Sequence, residues 1–439
     1  MNCLARILYK DGYRVTGSDQ NPSSVVFQLG SMGISVSIGH KPEHIPGDTE
    51  LVVYTAAVQS DNPELVAART MGIRTMDRAE LLGLIMRHYD YPICVAGTHG
   101  KTTTTSMLAE VFLAADADPT VLVGGYLDSI GGTLRDGGEQ YFVAESCEYF
   151  DSFLKFFPYI GIILNLEADH LDYFEDEAAV RRSFARFAGL IPPEGTLIIN
   201  AAIPNLSEIT EGLSCRIITY DMNRGRWQAR DIHYDREGCA SFTALFDGLP
   251  AGRITLSVPG AHNIQNALAT AATADVLGLP FEAVSQGLFR FHGAKRRFQK
   301  KGVINGVTIV DDYAHHPTEI STTLRSAKNM DYDKVWCVFQ PHTHSRTKNL
   351  LHEFAACFDE ADYVVLLDIY SPAGREEPST HIHSLDLLAL IEERGKKALY
   401  FPSFDEAEKF LQEKCLHNSL LITMGAGDVV RLGENMLKH

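Results

Sequence analysis

The chain has 439 residues and a formal net charge of −17 at pH 7, and its 45% hydrophobic and 22% charged residues are typical of globular proteins with several domains. This acidic charge, with no long basic run to offset it, disfavours nucleic acid as a partner. No apolar run reaches membrane-spanning length and the eight scattered cysteines form no Cys-x-x-Cys pair, so we expect no membrane insertion and a reducing, cytoplasmic location.

The first region, residues 1–90, alternates helical and extended segments in the manner of a Rossmann-like domain. A helix is predicted over residues 3–10, and the strand that follows it ends at Asp19. A parallel α/β domain normally begins one element earlier, with a strand and a glycine-rich loop that lead into the first helix. We therefore expect that first strand and glycine loop to be missing from this chain.

The second region, residues 91–293, is organised around a phosphate-binding loop. The loop consists of Gly97, Thr98, His99, Gly100, Lys101, Thr102 and Thr103. An apolar strand precedes it, and residues 102–115 follow it with apolar side chains at helical spacing. Backbone N–H groups at the start of a helix stabilise a polyphosphate, Lys101 would reach the outer phosphates, and the Thr102 hydroxyl would bind a divalent cation. Although Val95 replaces a glycine of the full pattern, the context predicts a nucleoside triphosphate site.

Two more apolar strands of this region lead into acidic or imidazole side chains. Residues 141–144 lead into Glu145, and residues 159–164 lead into a run that contains Glu167 and His170. Because the carboxyl ends of parallel strands meet at one edge of a sheet, we expect these groups to lie near Lys101. There they would supply oxygen or imidazole ligands for Mg²⁺.

The remainder of the second region is less regular. The glycine pairs 124–125 and 131–132 predict turns, and residues 217–256 predict an antiparallel insertion. An alanine-rich helix is predicted over residues 261–277, so His262 and Asn263 lie in its first turn.

The third region, residues 294–439, predicts another parallel sheet with helices on both faces. The basic run 295–297 lies at the boundary between the regions, where such residues can close onto a triphosphate held by the neighbouring domain. The first apolar strand of this region is followed by Asp312, His315 and His316. The sequence therefore predicts an α/β protein with functional groups in both its second and its third region.

These motifs together resemble the Mur ligase family, and the resemblance extends over nearly the whole chain in order. The segments that carry it are 97–103, 145–148, 165–170, 295–298, 311–319, 339–342, 345–347 and 425–428. The resemblance implies three domains: 1–90 for a UDP substrate, 91–293 with an ATPase-type parallel sheet for ATP, and 294–439 for the amino acid. Cys147 and Phe150 stand where many relatives have aspartates.

The resemblance implies an ATP-driven amide ligation in which UDP-N-acetylmuramate and L-alanine are joined. The resemblance implies that Lys101 and the loop amides bind the ATP phosphates, that Thr102 and Glu145 bind Mg²⁺, and that His170 lies at a second metal or phosphate position. It implies that His262 and Asn263 lie beside the adenine and that Arg297 and Asp312 reach ATP. His315 or His316 would lie at the reaction centre. Two alternatives remain open: a sister ligase that attaches a whole peptide, and a non-catalytic homologue that binds nucleotide. A monomer or a homodimer is expected.

Overall fold

A computed structural model describes residues 1–55, 58–167, 173–371 and 382–438. The chain divides into two compact units, each built from separate stretches of sequence. The first unit comprises Met1–Lys101, Ala115–Gly124 and Ser129–Thr219, and the second comprises Thr102–Ala114, Gly125–Asp128 and Tyr220–His439. Among the described residues, no helix is both long and apolar enough to cross a membrane.

The first unit begins with short helices and two separate pairs of parallel strands. The elements are α1 (Asn2–Lys10), β1 (Thr16–Asp19), α2 (Ser24–Ser31), β2 (Ser35–Ile38), a 3₁₀ helix (Pro42–His44), β3 (Leu51–Tyr54), α3 (Pro63–Thr70), β4 (Arg74–Asp77) and α4 (Arg78–Met86). Strand β1 pairs with β2, and β3 pairs with β4. Helix α4 begins at Arg78 because Asp77 accepts the N–H groups of Ala79 and Glu80, and the Glu80 carboxylate accepts the Asp77 N–H in return.

The main sheet of the first unit has the predicted strands at its centre. The next elements are β5 (Tyr91–Ala96), α5 (Lys101–Ala114), β6 (Thr120–Leu127), a 3₁₀ helix (Asp128–Ile130), β7 (Gly132–Arg135), β8 (Tyr141–Glu145), a 3₁₀ helix (Tyr149–Lys155), β9 (Ile160–Ile163), α6 (Glu177–Ala188), β10 (Thr196–Asn200), α7 (Ser207–Thr210) and β11 (Arg216–Tyr220). The strand order is β11-β10-β9-β5-β8-β6-β7. Strand β5 runs parallel to both of its neighbours, β8 and β9. The strands predicted to end in functional groups are therefore adjacent.

The turn predicted at Gly124 and Gly125 is wrong, because both residues lie within strand β6. At Gly124 an added Cβ would lie 2.9 Å from Oε2 of Glu145, so a side chain there would displace that carboxylate. The glycine is required by a neighbouring strand rather than by a turn. By contrast, Gly131 has φ 64° and lies in a turn, as predicted, and Gly132 begins β7.

The second unit contains an antiparallel ribbon followed by a second sheet with its helices. The elements are β12 (Trp227–Tyr234), β13 (Cys239–Phe246), β14 (Leu249–Pro259), α8 (Ala261–Val276), α9 (Phe281–Arg290), β15 (Gln299–Ile304), β16 (Val307–Asp312), α10 (Pro317–Lys328), β17 (Lys334–Phe339), α11 (His344–Asn349), α12 (Leu351–Ala356), β18 (Tyr363–Leu366), α13 (Ser384–Glu393), β19 (Ala398–Tyr400), α14 (Phe404–Lys414), β20 (Ser419–Met424) and α15 (Val430–Met436). Strands β12–β14 pair antiparallel, which confirms the predicted insertion.

The second sheet has the order β15-β16-β20-β17-β18-β19 and is mostly parallel, as predicted. Alternate residues of its strands pack into different cores: Val310 and Phe339 belong to one, and Ile309 and Val338 to the other. Apolar cores on both faces are the arrangement expected of a sheet covered by helices on both sides. The edge strand β15 was not predicted, and it runs antiparallel to β16. Its two adjacent lysines hide the apolar pattern of a buried strand.

Candidate functional site

The phosphate-binding loop leaves the end of β5 with two glycines at positive φ, 142° at Gly97 and 84° at Gly100. A Cβ at Gly97 would lie 3.0 Å from Cβ of Leu164, so the loop packs closely against the segment after β9. The Asn165 side chain fixes that contact, because its Oδ1 accepts the His99 N–H at 2.8 Å and its Nδ2 donates to the His99 carbonyl at 3.0 Å. The shape of the loop is therefore stabilised by Asn165, a residue outside the loop.

Lys101 is folded back into this loop. Its ammonium donates to the carbonyl of Gly97, to the carbonyl of Thr98 at 3.1 Å, and to Oε2 of Glu148 at 3.0 Å. Burial alone would lower the pKa of Lys101, but the Glu148 carboxylate raises it above its ordinary value, so the ammonium is charged at neutral pH. The sequence places Glu148 in the same acidic motif as Glu145, but its contact with Lys101 is seen only in the structure.

The acidic groups predicted near the loop are held by backbone donors and by the loop itself. Glu145 ends β8, and its Oε1 accepts the Gly124 N–H at 2.5 Å. Glu167 lies against the loop, where its N–H donates to Thr98 Oγ1 at 3.0 Å and its Oε2 lies 3.3 Å from Nε2 of His99. The structure thus brings Glu145, Glu148 and Glu167 to the end of the sheet that carries the loop. His170 lies outside the described residues.

In the second unit, Thr102 and Thr103 continue the loop as part of helix α5. Thr102 is 7% exposed, and a Cβ at Gly125 would lie 3.1 Å from its Cγ2. A hydroxyl such as that of Thr102 is a hard oxygen atom of the kind that Mg²⁺ prefers.

The structure places His262 and Asn263 at the start of α8, as predicted. Asn263 is buried, and its Nδ2 donates to the Pro259 carbonyl at 2.7 Å while its Oδ1 accepts from Asn266. Gly260, with φ 102°, leaves space for the His262 ring, because a Cβ there would lie 2.6 Å from Cε1 of that ring. The helix thus begins with a structural amide next to an exposed imidazole.

Asp312 ends β16 and is buried. It accepts the N–H of Phe298 at 3.0 Å and that of Ala314 at 2.7 Å. Burial raises the pKa of Asp312 to about 6, although the Arg297 guanidinium favours the charged form. Asp312 and Arg297 are therefore within electrostatic reach of each other, as predicted for two groups of one site.

Glu319 connects the functional groups of this segment. Its Oε2 accepts the His315 N–H at 3.1 Å and the His316 N–H at 3.4 Å, and its Oε1 lies 3.8 Å from Nη1 of Arg297. His316 is the N-cap of α10, and Glu319 completes a capping box three residues later. Sequence reasoning gave Glu319 no role, although the spacing of a cap residue and a glutamate in His-Pro-Thr-Glu was a readable signal.

Comparison with known proteins agrees with this arrangement. Three family models match in order: the Mur ligase family catalytic domain over residues 1–90, the Mur ligase middle domain over 95–274, and the Mur ligase glutamate ligase domain over 296–427. A relative from Agathobacter rectalis, named UDP-N-acetylmuramate–L-alanine ligase, is 52% identical over 439 residues, which is all of this chain and 95% of the relative. The chain belongs to the Mur ligase family.

Solved structures of Mur ligases share the fold. The UDP-N-acetylmuramate–alanine ligase of Thermotoga maritima superposes with a TM-score of 0.82 at 27% identity, covering 100% of this chain and 96% of that one. A murein peptide ligase of Psychrobacter arcticus gives a TM-score of 0.70, also at 27% identity, and covers 100% of this chain and 95% of its own. The α/β fold predicted from the sequence is therefore confirmed.

Proposed function

We propose that this Mur ligase family member joins L-alanine to the lactyl carboxylate of UDP-N-acetylmuramate, with cleavage of ATP to ADP and phosphate. The observation that carries the proposal is the 52% identity, over the whole chain, to a relative named for that reaction. The phosphate loop with its half-buried, charged Lys101 supplies the phosphoryl chemistry that such a ligase needs. The reaction would take place in the cytoplasm, as a step in the synthesis of peptidoglycan precursors.

Each of the three regions would bind a different substrate. Residues 1–90 would bind the UDP substrate, residues 91–293 would bind ATP, and residues 294–439 would bind the amino acid and close over the reaction. A monomer or a homodimer would suffice, since each of these regions lies in one chain.

The loop fits the phosphates of ATP. Gly97 and Gly100 have positive φ, a backbone conformation that lets the loop curve closely around an anion with no Cβ at either of these two positions. Lys101, together with the N–H groups of the loop, would bind the outer phosphates. Farther along the chain, His262 and Asn263 would lie beside the adenine, and Arg297 and Asp312 would reach the nucleotide from the third region.

The oxygen donors of Thr102 and Glu145 fit a divalent cation, and His170 would serve a second metal or phosphate position. When bound there, Mg²⁺ supplies charge neutralisation for the phosphate oxygens. The Gly124 N–H fixes the orientation of the Glu145 carboxylate, so a ligand atom is held in place before any ion arrives.

The proposed chemistry has two steps. In the first, a lactyl carboxylate oxygen attacks the γ-phosphorus of ATP; a C–O–P linkage forms, the bond to the bridging oxygen breaks, and ADP leaves. In the second, the neutral amine of L-alanine attacks the acyl carbon; a C–N bond forms, the C–O bond to phosphate breaks, and one amine proton leaves with the phosphate. Lys101 would offset the negative charge that develops on the transferred phosphoryl group.

The third region would serve the second step. Glu319 holds the backbone of His315 and His316 in place, so one of these imidazoles would take the proton that the ammonium form of L-alanine must lose before attack. Arg297, held by the same carboxylate, would face the phosphates.

The test is ADP release by the purified protein with UDP-N-acetylmuramate, ATP and Mg²⁺, while only the amine is varied. L-Alanine is expected to support turnover, and glycine and L-serine to support less, since a methyl or hydroxyl change in a small pocket is worth ~1–3 kcal/mol. A muropeptide amine is expected to give none. Turnover with the muropeptide and none with L-alanine would establish the peptide-adding alternative, and no ADP release with any amine would favour a non-catalytic homologue.

A further inference from the structure

The ammonium of Lys101 has three N–H donors, and the structure directs them at three acceptors. Two are carbonyls of the loop itself, those of Gly97 and Thr98, and the third is the Glu148 carboxylate, with Oε2 at 3.0 Å and Oε1 at 3.3 Å. A phosphate oxygen can bind this ammonium only after one of these hydrogen bonds is released. Of the three, only Glu148 lies outside the loop.

Glu148 is itself well enclosed, with its side chain 3% exposed and that of Lys101 17% exposed. Contact between two groups so far removed from water is much less screened than a surface ion pair. Separating Glu148 from the ammonium therefore has an appreciable free-energy cost, which the free energy of nucleotide binding must offset. The pair is a property of the folded first unit, because its partners lie 47 residues apart in sequence.

The backbone after Glu148 holds its side chain in this position. Phe150 and Asp151 both have left-handed conformations, with φ 53° and φ 51°, which are uncommon for residues other than glycine and rare for one as bulky as phenylalanine. The tight turn that they form is closed by a hydrogen bond from the Asp151 N–H to the Glu148 carbonyl at 2.9 Å. The Asp151 carboxylate in turn accepts from Ser183 and Arg186 on helix α6. The turn is thus held at Glu148 by Lys101 and at Asp151 by helix α6.

We propose that Glu148 is a positioning residue that holds Lys101 in the empty loop and competes with nucleotide phosphates for its ammonium. This inference rests on the proposed binding of ATP. Before nucleotide binds, Glu148 neutralises the half-buried ammonium while that ammonium donates to the two loop carbonyls. When nucleotide binds, phosphate oxygens replace the carboxylate as its partner. The competition makes the loop discriminate in favour of ligands that carry more negative charge than one carboxylate.

The test compares the affinity of wild type, Glu148→Gln and Glu145→Gln for ADP by calorimetry, first in EDTA and then with Mg²⁺. Glu148→Gln keeps the shape of the side chain but weakens its hydrogen bond to Lys101, so metal-free ADP is expected to bind roughly tenfold more tightly than to wild type. Glu145→Gln is the matched control in EDTA, where no metal is bound, because it makes the same charge change on a carboxylate that accepts from Gly124 instead. Its effect measures the general influence of one negative charge and is expected to be smaller.

Glu148→Asp is the second variant, for the case that the glutamine variant unfolds. It keeps the charge but withdraws the carboxylate by one methylene, and an intermediate gain in ADP affinity is expected. Weaker or unchanged ADP binding in the Glu148 variants, or a gain no larger than that of Glu145→Gln, would overturn the inference while leaving the proposed function intact. Weaker binding only when Mg²⁺ is present would identify Glu148 as a metal ligand instead. Absence of ADP binding to wild type would overturn the proposed function and this inference together.

Discussion

The backbone N–H of Gly124 donates to Oε1 of Glu145 at 2.5 Å. A Cβ on Gly124 would lie 2.9 Å from the other carboxylate oxygen, so the glycine both holds this side chain and leaves room for it. This hydrogen bond connects β6 with β8, and it orients the Glu145 carboxylate at the strand end next to the phosphate loop.

Gly124→Ala is therefore expected to raise the Mg²⁺ concentration needed for half-maximal ADP release by about tenfold, within the range seen when groups that orient metal ligands are lost. The ATP dependence at saturating Mg²⁺ is expected to change less. Gly132→Ala is the matched control, since its Cβ meets nothing closer than 4.0 Å. Identical Mg²⁺ titrations for wild type and Gly124→Ala would show that the orientation of Glu145 does not matter.

Lys101→Ala is expected to abolish ADP release, because the loop then lacks the ammonium that offsets phosphoryl charge. The melting temperature is expected to fall as well, since the two loop carbonyls lose a donor and the enclosed Glu148 carboxylate loses its counter-charge. Circular dichroism at the assay temperature checks that the variant is folded. Lys10→Ala, which removes the exposed ion pair to Asp136, serves as the control and is expected to keep full activity. Near-normal ADP release by Lys101→Ala would refute the assignment of the loop.

Glu319 offers a way to separate helix capping from positioning. Glu319→Ala is expected to lower the free energy of unfolding by ~1 kcal/mol, as for other lost caps, and to lower kcat strongly because His315 and His316 lose a common acceptor. Glu319→Gln keeps an acceptor for these N–H groups but loses the charge beside Arg297. It is expected to melt like wild type and still to bind ATP more weakly. Equal kcat and KM in Glu319→Gln and wild type would limit Glu319 to capping.

Asp312 predicts a pH dependence of stability. Its pKa in the folded protein is about 6, above the value of 3.8 expected when it is exposed, so the folded state favours the protonated form. Stability is therefore highest below pH ~4 as far as this group is concerned, and it falls as pH rises through 6, by on the order of 3 kcal/mol. Asp312→Asn removes the titration and adds only a pH-independent penalty. The melting temperature of wild type minus that of Asp312→Asn is expected to decrease between pH 4.5 and 7.5, and a constant difference would contradict this.

The sequence was sufficient to predict those parts of the site that are formed by contiguous residues. The phosphate loop could be predicted because strand, glycines and helix are contiguous, and β5 does lie between β8 and β9, as the shared strand-end chemistry required. Glu319 could have been found by the same local reasoning, from the capping-box spacing. The contact between Gly124 and Glu145 could not, since nothing in a Gly-Gly pair distinguishes a turn from a strand that must admit a neighbour's carboxylate.

The Lys101–Glu148 pair lay equally beyond local reasoning. Its geometry depends on the left-handed Phe150 and Asp151, and a bulky residue such as phenylalanine gives no sign of positive φ in the sequence. The edge strand β15 was missed because its lysines hide the apolar pattern of a buried strand. The Lys101–Glu148 contact thus depends on distant parts of the fold, whereas β15 was hidden by its own residue types.

The most direct test of the proposed ligation uses UDP-N-acetylmuramate with both lactyl carboxylate oxygens replaced by ¹⁸O. The protein is incubated with this substrate, ATP, Mg²⁺ and L-alanine, and the masses of the products are measured by mass spectrometry. The proposed steps predict UDP-N-acetylmuramoyl-L-alanine with one ¹⁸O in its new amide and one ¹⁸O in the released phosphate. An amide product whose phosphate carries no label, or ADP formation without any amide product, would contradict the account.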